Sequence, residues 1–334
     1  EMDRLATLYK PAGPTSDHDD IDNDWLDALV ADFERLGGGS MAHELATIAR
    51  MEADRPLSGL KAHQLAWAVH TLRSGLESPD FVCTATDPAN VATTLAAGFR
   101  HFVACWSHHP LFPEMMATLR DHRFSLHGLA LFGSAKCLSD GNNRVAFLPA
   151  RDGAKRITSF HIALGPSDKL GCFFEPFDKY EWPDGAPGSR DIFRPAIGQR
   201  IAASKGRIHR KSPGMLILSP GIVASSLDQH FVDAIHANHA EHGRQFRSLA
   251  AVCIVMGMTK AWPERNRVTF GYHFLPIANP HYKNETSVEV TADRPPELQG
   301  IGAPQTIDQI ELYGNTVRLF VNAEVPEASM AHSW

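Results

Sequence analysis

The fold is decided by two apolar runs and the segment between them: Met215-Leu216-Ile217-Leu218, then Ser226 to His242, then Leu249-Ala250-Ala251-Val252-Cys253-Ile254-Val255-Met256. Each run is too short for a helix of ordinary length and carries no polar alternation, so it reads as a strand buried on both faces. The segment between them spaces Leu227, Phe231 and Ile235 at helical intervals. Strand, helix, strand implies a central sheet covered on both sides.

Working outward, the same pattern continues. Ahead of the first run, Arg144 to Leu148, Ile157 to Leu164 and Leu170 to Phe177 read as strands, the last two joined by Gly165-Pro166-Ser167-Asp168. Arg190 to Ser204 reads as a helix with Pro195 in its first turn. Val268 to Leu275, Ile307 to Leu312 and Val317 to Val321 are expected to finish the sheet. Phe81 to Thr84, Phe102 to Trp106 and Leu129 to Phe132 also read as short strands, with helices from Asp87 to about Phe99 and near Glu114 to Asp121. Residues 1–77 read as helices: Trp25, Leu26, Leu29, Val30 and Phe33 share one face, and Ser40 and Ser58 are placed to start two more. The expectation is an α/β fold, a central mixed sheet flanked by helices, with a helical amino-terminal region at 1–77 and an α/β domain at 78–334.

Composition narrows the function classes. A chain of 334 residues, 43 % hydrophobic and 21 % charged, is long enough for a substantial core and is not of disordered type. A net charge of −6 argues against polyanion binding over the whole surface but allows a local basic groove. No run of about 18 apolar residues exists, so no membrane span is expected. The amino terminus shows no basic segment followed by an apolar one, and Glu1-Met2 reads as a remnant ahead of the native start. The five cysteines (Cys83, Cys105, Cys137, Cys172 and Cys253) are widely spaced without a C-x-x-C pair, as in reduced packing residues of a cytoplasmic protein.

Several motifs are weighed on their chemistry. Asp17, Asp19, Asp20, Asp22, Asp24 and Asp27 form an acidic cluster. As a calcium loop, however, it would place Trp25 where a tight turn needs Gly and Ala31 where a bidentate Glu is needed. Acids in a first helical turn answer the helix dipole instead. Eighteen histidines invite a metal reading. Asp233, His236 and His239 could share one helix face and hold Zn²⁺ or Fe, while His242 lies rotated away from His236. His108-His109-Pro110 reads as a loop. Serine-hydrolase elbows, P-loops and dinucleotide fingerprints are absent.

The stretch 157–256 has a further likeness. Pro166-Ser167-Asp168, then Glu175 on the next strand, a helix, a basic turn and two more strands follow one another. This order resembles the core of the PD-(D/E)xK nuclease superfamily. Lys179 is the nearest lysine after Glu175, the second residue on being Phe177, and Pro79-Asp80 is a rival Pro-Asp element. The resemblance implies a metal-dependent nuclease or nuclease-like nucleic-acid-binding protein. Asp168 and Glu175 would hold Mg²⁺ or Mn²⁺, and Lys179 would assist the nucleophile. Lys205, Arg207, Arg210 and Lys211 would meet backbone phosphates. A histidine-ligated metalloenzyme for a small molecule, and a non-catalytic assembly subunit joining a protein partner or its own copies, stand as alternatives.

Overall fold

Phe174 pairs with Ile217, and Ile217 with Cys253, so three buried strands run parallel side by side. This is the centre of the structure, a computed structural model that describes residues 16–37, 39–120, 125–148, 157–164, 168–176, 190–204, 206–208, 212–219, 229–262, 266–284, 286–293, 310–313 and 316–321. The first half contains β1 (Ser16–Asp20), α1 (Asn23–Arg35), α2 (Met41–Asp54), α3 (Ser58–Ala62), α4 (Gln64–Leu76), α5 (Asp87–Trp106), α6 (Phe112–Leu119) and α7 (Ser125–Asp140). Next come β2 (Arg144–Phe147), β3 (Ser159–Ala163), β4 (Lys169–Pro176), α8 (Arg190–Ser204), β5 (Gly214–Ser219) and α9 (Gln229–His242). The last elements are β6 (Leu249–Ala261), β7 (Arg267–Ala278), β8 (Val288–Asp293), β9 (Ile310–Tyr313) and β10 (Thr316–Val321).

The main sheet has the order β1-β7-β6-β5-β4-β3-β2, parallel through β4, β5 and β6 and antiparallel at both flanks. Each side chain along β5 is buried, because helices cover both faces. On one face Ile197 and Ile201 of α8 and Val232 and Ile235 of α9 pack on Leu216, Leu218, Val252 and Ile254. On the other, Phe99 and Phe102 of α5 and Leu131 and Phe132 of α7 join Cys172, Phe174, Ile217, Phe270 and Tyr272. The fold is α/β. Leu26, Leu29 and Trp67 of the amino-terminal helices belong to this second cluster, so those helices share their core with the sheet.

Five local expectations are corrected. Phe102 to Trp106 lies in α5 and Leu129 to Phe132 in α7. Both helices are buried on nearly every side, so their apolar runs lose the helical stripe and imitate strands. Phe81 to Thr84 is not a strand, and Phe81 instead lays its ring against Gly75 of α4. The amino-terminal region is not wholly helical: Ser16–Asp20 forms an edge strand on β7, and its acidic residues suit an exposed edge. The last strands do not finish the main sheet but form a separate sheet of order β8-β10-β9. β10 lies between β8 and β9 and pairs antiparallel with each, so these strands satisfy their hydrogen bonds among themselves.

The small sheet is held against the end of α7. Asn142 there adopts the left-handed conformation that closes a helix, at φ 66°. Gly141 comes so near β8 that a Cβ would sit 2.1 Å from the Thr291 carbonyl oxygen. Asn143 Nδ2 donates to both Leu138 O and Thr291 O. Among the described residues no helix is long and apolar enough to cross a membrane.

Candidate functional site

The carboxyl ends of β4 and β5 carry the buried polar groups that an apolar sheet must account for. Along β4, Leu170, Cys172 and Phe174 face the α5–α7 side, which turns Phe173 and Glu175 toward α8. Glu175 is only 7 % exposed. A carboxylate this buried is tolerable when opposite charge meets it. Arg207 Nη2 donates to its Oε1, and Arg200 Nη1 lies 4.0 Å from its Oε2.

The last residue of β5, Ser219, points to the opposite face and is 2 % exposed. Its Oγ lies 3.0 Å from Nδ1 of His127, also buried, in the first turn of α7. A hydroxyl with an imidazole nitrogen at this distance can pass a proton between them, so the pair can hold or move one at the strand end. Glu175 and Ser219 thus sit at neighbouring strand ends, on opposite faces of the sheet.

The sequence-derived residues are distributed differently from expectation. Asp168 is exposed just before the first residue of β4, while Glu175 is next to its last. Seven residues of extended chain separate them by about 23 Å at roughly 3.3 Å each, too far to share one metal ion. Glu175 is already neutralised by arginine, which further removes it from a metal role. Arg207 is turned to Glu175 and donates to it. Lys179, Lys205, Arg210 and Lys211 lie outside the described residues.

The alternative metal site is not assembled either. His236 is exposed, Asp233 half-buried and His239 buried. Among the described residues no group of three or more His, Cys, Asp or Glu side chains could hold a metal ion. Burial pushes the His239 imidazole down to about 4, against the opposing effect of a hydrogen bond to the Ile277 backbone, while His236 and His281 add to the depression. Its Nε2 has no hydrogen-bond partner among the described residues.

The residues that sequence reasoning missed are His127, Ser219 and Arg200. A strand reading at Leu129 to Phe132 hides that His127 opens a helix. Ser219 lies one residue beyond the apolar run that marks β5, and strand ends carry the sheet's functional groups in folds of this class. Arg200 sits in a helix whose composition gives no hint of a buried acid beneath it.

Comparison with known proteins adds a different kind of observation. No family model matches the chain, and no solved structure matches it. Part of it is similar to 2-succinyl-5-enolpyruvyl-6-hydroxy-3-cyclohexene-1-carboxylate synthases. The match is 41 % identity over 63 residues with the Lactococcus lactis subsp. cremoris enzyme, covering 19 % of this chain and 11 % of the relative. With that of Thermobifida fusca it is 55 % over 49 residues, 14 % of this chain and 9 % of the relative. With that of Geobacillus thermodenitrificans it is 35 % over 116 residues, 33 % of this chain and 20 % of the relative. The chain therefore spans no more than a fifth of the length of these curated relatives.

These relatives are named for making a small carboxylic acid. The expectation of a metal-dependent nuclease, with hydrolase chemistry and DNA binding, is corrected by that finding. The separation of Asp168 from Glu175 gives the same correction a physical cause.

Proposed function

We propose that this chain acts on a small, carboxylate-bearing molecule, as part of a synthase of the kind for which its relatives are named. The observation that carries this reading is the similarity to those synthases, which extends over 116 residues with the Geobacillus thermodenitrificans enzyme. The product in their name bears a succinyl group, an enolpyruvyl group and a ring carboxylate, so a protein handling it must offer positive charge and hydrogen-bond donors. The buried pair His127–Ser219 and the arginines on Glu175 supply groups of that type at or near the carboxyl ends of parallel strands. Open α/β sheets place their ligands at such ends.

A divalent cation, Mg²⁺ or Mn²⁺, belongs to the proposal as a counter-ion of the acid groups. The described residues do not fit a protein-held metal centre. A reducing compartment, the cytoplasm, is also part of it, supported by five free cysteines, all buried.

The test is thermal unfolding and calorimetry of the purified chain with 2-succinyl-5-enolpyruvyl-6-hydroxy-3-cyclohexene-1-carboxylate, with and without Mg²⁺. A ligand of the folded state raises the unfolding temperature with its concentration. A saturable rise with this acid is expected. No rise in either condition overturns the reading.

A further inference from the structure

The cluster of Arg200, Arg207 and Glu175 carries two positive charges against one negative charge. Glu175 is the buried member, and the arginine side chains are 34 % and 41 % exposed. Each guanidinium has five N–H donors. Among the described residues, the guanidinium of Arg207 makes its contact with Glu175, and that of Arg200 makes a 4.0 Å ion pair without a hydrogen bond. Several N–H donors of the two guanidinium groups are therefore without a partner among the described residues.

We propose that Arg200 and Arg207, tethered from beneath by Glu175, form a binding site for the carboxylate of a small molecule. The fork of a guanidinium matches a carboxylate in two parallel hydrogen bonds. Glu175 has two effects. It holds Arg207 in one direction, which lowers the ordering cost of binding. It also leaves a net charge of +1 on the cluster, which one carboxylate group neutralises. The site deepens the proposed function and rests on that reading for its class of ligand.

The experiment is calorimetric titration of the full chain with acetate, a monoanion, and, separately, with inorganic phosphate. Acetate is expected to bind with one-to-one stoichiometry, and more weakly as salt is raised. Arg200→Ala and Arg207→Lys should each weaken acetate by about tenfold or more, the lysine keeping a positive charge beside Glu175 while removing the fork. Glu175→Gln removes the negative charge in nearly the same shape and should strengthen phosphate binding more than acetate binding. Absence of acetate binding to the unaltered chain overturns the proposal. So does unchanged affinity in Arg200→Ala and Arg207→Lys. An unchanged acetate-to-phosphate ratio in Glu175→Gln overturns the role given to that carboxylate.

Discussion

His127 Nδ1 and Ser219 Oγ, 92 residues apart in the chain, lie 3.0 Å from each other in the interior. This contact ties the first turn of α7 to the end of β5. Ser219→Ala would leave an imidazole nitrogen buried without that partner. A loss of about 1–3 kcal/mol is expected, read from urea unfolding midpoints. A double-mutant cycle with His127→Phe should show a coupling of at least about 0.5 kcal/mol, and strict additivity would contradict the pairing.

Acid should weaken the fold before the carboxylates titrate fully. Burial lowers His109, His161 and His239 to about 4, with Lys169 adding to the effect at His161. In the unfolded chain these imidazoles take up protons near pH 6.5. Between these limits the unfolded state binds more protons, so stability is full above about 6.5 and falls as pH drops toward 4. For His239, 2 % exposed, the contribution is on the order of 3 kcal/mol. Unfolding free energies at a series of pH values should show this slope, and His239→Gln should flatten it.

Gly141→Ala should loosen the small sheet. The added carbon would meet the backbone of Thr291, which has no flexible side chain to move aside. The chain would give up the close approach of α7 to β8, at a cost of about 1–3 kcal/mol. Hydrogen exchange should show the loss first in Val288–Asp293, before the main sheet is affected.

The thiols should be inert in the native protein. Each of the five cysteines is free and buried, and burial pushes Cys83 up to about 11 and raises Cys172 and Cys253 well above the ordinary thiol range. The thiolate is the reactive form, so a disulfide reagent should modify the folded chain slowly and release five equivalents on unfolding. Rapid native labelling would show that the core opens.

The parallel strands were legible because burial on both faces leaves an unbroken apolar run, as in Met215 to Leu218. The amphipathic helix at Asn23–Arg35, with Asp22 capping the Trp25 amide, was legible for the complementary reason, one wet face and one dry. Where a helix is enclosed, as at Leu129 to Phe132, that contrast disappears and the strand reading follows. The candidate site was only partly legible. Glu175 and Arg207 were singled out, but not as partners of one another, which is how the structure joins them.

The amino-acid sequence by itself determined that this chain folds as an α/β protein, since local hydrophobic periodicity sets which segments become buried strands and which become amphipathic helices. The tertiary structure alone decided the separation of β8, β9 and β10 from the main sheet and the pairing of His127 with Ser219. Those depend on contacts between residues far apart in the chain. Periodicity says which face of an element is buried, not which distant side chain it will meet there.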